Sequence, residues 1–149
     1  MSQSYPKFDR PLAVLHVDDD PMNLRVVEEI LVAFNHTAVK TTSGAEALDL
    51  LAAQTFDVVL MDIHMPGMSG VEAVEKLRAS PGPERSVPVI ALTADVFSRR
   101  PEDYRVPGFN DFVSKPIVAE AFLGVVARHL AAELAPLRAA PPAEARRAL

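Results

Sequence analysis

Short apolar runs alternate along this chain with longer stretches of helical period. The runs are Leu12 to Val17, Thr37 to Thr41, Phe56 to Met61, Val87 to Leu92 and Asp111 to Ser114. The first, third and fourth are nearly continuous in Val, Leu, Ile, Met and Ala. That is the pattern of strands covered on both faces, so these three belong at the centre of a sheet. Strands separated by helical stretches predict βα units around a parallel sheet.

The intervening stretches read as helices. Leu24, Val27, Leu31 and Phe34 recur at spacings of three and four, which predicts an amphipathic helix from Pro21 to Phe34. Asp20 is its N-cap and Pro21 its first helical residue. Ala45 to Ala53 and Val71 to Ala79 predict the second and third helices. Ile117, Phe122, Val125, Val126 and Leu130 give the last helix an apolar stripe, which ends before Pro136. The fourth helix is predicted short or irregular, starting near Pro101. Pro101 and Pro107 fall where it should run, and an interior proline costs about 3 kcal/mol.

The predicted fold is therefore α/β, a doubly wound (βα)5 arrangement on a five-stranded parallel sheet. Residues 1–10 form an N-terminal extension, residues 11–134 one domain, and residues 135–149 an Ala, Pro and Arg rich tail read as disordered. No internal repeat is present.

Composition narrows the function classes. A chain of 149 residues, 49% hydrophobic and 23% charged, fits one globular domain and leaves no room for a second effector domain. A formal charge of -5 argues against a nucleic-acid surface, because phosphate binding needs clustered Lys and Arg. Zero cysteines exclude disulfides and thiolate chemistry and suit a reducing compartment. The segment MSQSYPKFDRP has no apolar signal core, and no apolar run approaches the roughly 18 residues of a membrane span. The expectation is a cytoplasmic protein without DNA binding or membrane insertion.

In an open α/β sheet, ligands sit beyond the carboxyl ends of the strands. Asp18, Asp19 and Asp20 follow the first strand, Asp62 ends the third, Thr93 and Ala94 end the fourth, and Lys115 follows the fifth. All of them reach one rim. Carboxylates about 4 Å apart repel by roughly 4 kcal/mol even at an effective dielectric of 20, so a cation is expected. Oxygen donors without a His or Cys cluster favour a hard ion, and an open rim with few protein ligands favours Mg²⁺. A divalent cation, a lysine and a threonine converging on one carboxylate point to phosphoryl transfer onto it. Asp62 is the acceptor in this scheme. The metal and Lys115 would balance charge on the phosphoryl oxygens, and the Thr93 hydroxyl and Ala94 N–H would donate to them.

Together, the segments VLHVDDDPMNLRVVEEIL, FDVVLMDIHMPGMSGVEAVEKLR, VPVIALTAD and FNDFVSKPI resemble response-regulator receiver domains from about Pro11 to Leu134. They look most like the receivers of hybrid histidine kinases and their stand-alone single-domain relatives. The resemblance implies strand order 2-1-3-4-5 and Asp62 as phosphoacceptor. It implies Mg²⁺ held by the carboxylates of Asp19 and Asp62, by the His64 backbone carbonyl, and by Asp18 through water. Thr93 and Lys115 would contact the phosphoryl group, Thr93 and Phe112 would form the switch, and His64 and Asp95 would tune phosphoryl lifetime. A cis peptide between Lys115 and Pro116 is also implied.

The resemblance further implies a partner histidine kinase or histidine phosphotransfer protein. A downstream protein would be met through the fourth helix, fifth strand and fifth helix, and no separate substrate would be turned over. The segment FSRRPEDYRVPG departs from the family's regular fourth helix, which puts the output surface in question and leaves the phosphorylation chemistry alone. Met1 and the tail lean against a piece cut from a hybrid kinase.

Other readings stand beside these. An aspartyl-phosphate hydrolase on a similar sheet would place a second catalytic Asp two residues after the nucleophile, where this chain has His64. A phosphorylation-independent or nucleotide-messenger-binding module would use Arg99 and Arg100, although two adjacent arginines are usually a solvated face. His16, inside the first strand, reads as a structural histidine hydrogen-bonded in the core. Gly67 and Gly70 serve a turn and are not a phosphate-binding glycine loop.

Overall fold

The alternation of apolar runs and helical stretches becomes a sheet with helices on both faces. The computed structural model describes Phe8, residues 10–63, Met65, residues 67–93 and residues 108–139, with side chains through Leu130. In chain order these residues form β1 (Ala13–Val17), α1 (Pro21–Ala33), β2 (Thr37–Thr41), α2 (Gly44–Ala53), β3 (Val58–Asp62) and α3 (Gly70–Arg78). A 3-10 turn (Pro83–Ser86), β4 (Val89–Thr93), β5 (Asp111–Ser114) and a last helix, here α4 (Ala119–Ala139), complete them. The five strands are parallel in the order β2-β1-β3-β4-β5, as the resemblance implied.

Period-two alternation sorts the core into two layers. Val59 and Met61 of β3 and Val89 and Ala91 of β4 pack with Leu51 of α2 and Val74 and Leu77 of α3. Their neighbours Val58, Leu60, Ile90 and Leu92 pack on the other face with Val27 and Leu31 of α1 and Phe122, Leu123 and Val126 of α4. Every residue of β3 and β4 is buried, which accounts for their apolar composition up to the closing Asp62 and Thr93.

Local chemistry sets the helix starts. Asp20 caps α1, its carboxylate accepting from the Met22 N–H at 2.9 Å, with Pro21 inside the first turn. Ser43 and Ser69 cap α2 and α3 by accepting from the N–H of Glu46 and Glu72. Gly67 lies at φ 76°, a conformation that favours glycine. Gly70 opens α3 against the end of β3: a Cβ there would stand 2.2 Å from the Asp62 carbonyl oxygen. The turn role predicted for both glycines is what positions α3 beside Asp62.

Three expectations are corrected. The last helix does not end before Pro136 but runs to Ala139, so residues 135–139 of the predicted disordered tail are helical. Proline removes one backbone donor there, and Ala and Leu on both sides favour helix strongly. Second, β3 and β4 begin two residues after the apolar runs at Phe56 and Val87, which are buried outside the ladder. Third, the His16 ring makes no hydrogen bond among the described residues. The predicted fourth helix, with Pro101 and Pro107, lies outside the described residues, as do residues 140–149. Among the described residues, no helix is long and apolar enough to cross a membrane.

Candidate functional site

The carboxyl ends of β1, β3, β4 and β5 converge on a cluster of acids. One carboxylate oxygen from each of Asp18, Asp19 and Asp62 lies within 4.8 Å of the others. Asp62 is the last residue of β3, and Asp18 and Asp19 directly follow β1. Asp18 is fully buried and Asp62 nearly so, while Asp19 faces solvent. Asp18 is held by the backbone: its N–H donates to the Thr41 carbonyl at 3.1 Å, and its Oδ1 accepts from the Asp20 N–H at 2.9 Å.

Lys115 brings the balancing charge. Its Nζ stands 3.2 Å from Asp18 Oδ2 and 3.2 Å from Asp62 Oδ1. Burial works against the ammonium, and the carboxylates of Asp18 and Asp62 outweigh it, holding the Lys115 pKa above its ordinary value. The Lys115 N–H donates to the Thr93 carbonyl at 2.8 Å, which ties the lysine to the end of β4. Its bond to Pro116 is cis, as the resemblance implied.

Thr93 is buried at the end of β4, one residue beyond Leu92, the register partner of Asp62. Phe112, half-buried on β5 and paired with Ala91, packs into the layer that contains α2 and α3. The structure therefore brings together Asp18, Asp19, Asp62, Thr93 and Lys115, with Phe112 on the next strand. Asp20 serves the helix start. His64, Ala94, Asp95, Arg99 and Arg100 lie outside the described residues.

One feature was not singled out from sequence, and a second was read there only as a core histidine. The Asp111 carboxylate, buried at the start of β5, accepts from its neighbour's N–H at Phe112 (2.8 Å) and from Arg128 Nη2 (2.6 Å), and lies 2.8 Å from His129 Nε2. Burial opposes its charge, and these partners together hold its pKa below the usual value. An acid opening a strand, with basic residues on the helix that follows, is the available signal. The other is His16, whose ring is fully buried with Nε2 3.8 Å from Asp18 Oδ2. Burial pushes its pKa down to about 4, so the ring is neutral near pH 7.

The donor set of three carboxylates suits a hard, oxygen-seeking divalent ion, and Mg²⁺ fits it. A cavity of about 560 Å³ lies elsewhere, at the amino ends of the strands between Leu12, Leu51, Phe56, Val87 and Leu130, and contributes nothing to this cluster.

Comparison with known proteins agrees with this geometry. The family described as response regulator receiver domain matches residues 14–127. Sensor protein GacS of Pseudomonas syringae pv. syringae is 35% identical over 123 residues, covering 81% of this chain but only 14% of GacS. The polar-differentiation response regulator DivK of Brucella anthropi is 32% identical over 120 residues, covering 80% of this chain and 97% of DivK. The receiver domain of sensor histidine kinase PA1611 from Pseudomonas aeruginosa, solved with a magnesium ion in its active-site cleft, superposes with a TM-score of 0.73. It is 29% identical and covers 80% of this chain and 98% of that one.

Proposed function

Because the chain belongs to the response regulator receiver domain family, we propose that it accepts a phosphoryl group on Asp62 and switches conformation to signal through protein contact. One observation carries this reading: a nearly buried carboxylate ends the central strand with Lys115 Nζ at 3.2 Å and two further acids within 4.8 Å. That arrangement has one carboxylate to accept, a cation to balance the incoming oxygens, and acids to hold a metal.

In the transfer, an Asp62 carboxylate oxygen attacks phosphorus. The bond from phosphorus to the donor breaks, and the donor, a phosphohistidine nitrogen or an acyl oxygen, leaves with its electron pair. The carboxylates of Asp19 and Asp62 and the His64 backbone carbonyl would hold Mg²⁺, with Asp18 acting through water. The ion supplies charge balance for the phosphoryl oxygens. Lys115 turns from Asp18 toward those oxygens, and the Thr93 hydroxyl and Ala94 N–H donate to them. Thr93 then draws in, Phe112 fills the space behind it, and an active state already present at lower abundance gains population. His64 and Asp95 set how long the phosphoryl group survives.

The chain acts in the cytoplasm and turns over no separate substrate. Its phosphoryl donor is a histidine kinase or a histidine phosphotransfer protein. The exposed apolar side chains of Met22 and Val26 on α1 and of Val118 after Lys115 support docking at the site rim. The downstream protein is met through β5, α4 and the segment before β5. DivK, with 97% of its length matched, supports a single-domain regulator, and the receiver domain of sensor histidine kinase PA1611 supports a kinase-linked relay.

The test is incubation with acetyl phosphate and Mg²⁺ followed by intact mass. One added phosphoryl group that requires both Mg²⁺ and Asp62 is expected, and Asp62→Asn should take none. An adduct that persists in Asp62→Asn would refute the assignment.

A further inference from the structure

The fully buried imidazole of His16 has no visible structural reason to be there. Its β1 neighbours Leu15 and Val17 are apolar, and its register partner on central β3 is Leu60. Neither ring nitrogen has a hydrogen-bond partner among the described residues. A buried polar ring left unsatisfied destabilises a fold, and an apolar side chain of similar shape would serve the packing better. A compensating role is therefore to be sought at the ring's open edge.

That edge faces the site. Nε2 lies 3.8 Å from Asp18 Oδ2, a fully buried atom that itself lacks a hydrogen bond among the described residues. Among the described residues only the Lys115 ammonium, 3.2 Å away, balances that oxygen, and Lys115 also serves Asp62 at 3.2 Å. When Lys115 turns to phosphoryl oxygens on Asp62, Asp18 Oδ2 loses its cation in a place that water does not reach. A shift of about 1 Å would bring Nε2 into donating range of it.

We infer that His16 is a positioning residue of the phosphorylation site, its Nε2–H donating to Asp18 Oδ2 when Lys115 is drawn to the phosphoryl group. The ring would then hold the Asp18 carboxylate in place beside Asp62 and Asp19. This rests on the proposed function, and it assigns a role to a strand residue outside the set of acids, threonine and lysine.

The experiment uses the full chain as parent, His16→Leu and His16→Gln, with Mg²⁺ and beryllofluoride as the probe. Without metal, His16→Leu should melt a few degrees higher than the parent, because the unsatisfied ring is gone. Its beryllofluoride binding in Mg²⁺ should weaken on the order of 10-fold, the usual size of an outer-shell loss at a metal site. His16→Gln keeps an N–H donor at similar reach and should bind nearly as the parent does. In the parent, the imidazole Nε2–H resonance should move downfield when beryllofluoride binds, a readout that needs no variant to fold. Parent-like affinity in His16→Leu, or an unmoved imidazole resonance in a parent that binds the probe, overturns the role of His16. A parent that binds no probe overturns the phosphoacceptor reading itself, and His16 with it.

Discussion

The two rims of the sheet solve their polar problems in opposite ways. At the amino ends of the strands, half-buried polar groups are matched. The Asp57 carboxylate takes the Ala13 N–H at 2.8 Å and both terminal nitrogens of Arg10. Arg78 donates to the carbonyls of Arg85, Val87 and Gly108 and to the Asn110 side chain. At the carboxyl ends, three acids cluster and two of them, Asp18 and Asp62, share one lysine, and the imidazole beneath them has no partner among the described residues. One rim is matched and the other is left with more acid than base, which is the difference expected between a scaffold and a site.

The contrast breaks most visibly at Arg78. Arg78→Ala would leave the carbonyls of Val87 and Gly108 without these donors and release the start of β4 from the segment before β5. A loss of about 3 kcal/mol in urea unfolding is expected. A loss under about 1 kcal/mol would mean that water replaces the guanidinium easily and that the amino rim is not the rigid one. At the other rim the sign should invert. Asp19→Asn removes one of three crowded charges and should stabilise the metal-free protein by about 1 kcal/mol, the water-screened end of the Coulomb range, while weakening Mg²⁺ binding. Destabilisation without metal would show that the acids are mutually supported rather than strained.

Much of this was legible in the sequence, for reasons that particular residues make plain. Asp18, Asp19, Asp62, Thr93 and Lys115 could be assigned to one rim because each follows an apolar run, and parallel strands all end on the same side. Asp20 and Pro21 marked the start of α1 through purely local chemistry. Phe56 and Val87 misled the strand boundaries because apolar pattern reports burial rather than pairing. The clamp on Asp111 escaped notice because Arg128 and His129 stand 17 and 18 residues away and meet it only once α4 packs. The same holds for His16: a histidine in an apolar strand is visible, but whether its nitrogens find partners depends on neighbours from three strands.

The smallest effect concerns a second buried histidine, at the matched rim, and it sharpens the comparison most directly. His36 Nδ1 accepts from the Leu12 N–H at 3.0 Å, and the ring meets Phe8 edge-on at 5.2 Å. Burial pushes its pKa below the ordinary value, with Asp57 pulling weakly the other way. The unfolded chain therefore takes up a proton before the folded one does. Stability from His36 is complete above its unfolded pKa of about 6.5 and is lost as pH falls below it. His16, held near 4, adds a slope of the same sign. The informative quantity is accordingly the difference in pH slope between the parent and His36→Asn, whose side-chain oxygen can accept from Leu12 without titrating. A shallower fall in unfolding free energy from about pH 7 to about pH 5 is expected in the variant. An unchanged slope would mean that the Leu12 bond does not select the neutral ring, and the two histidines would then differ in position but not in kind.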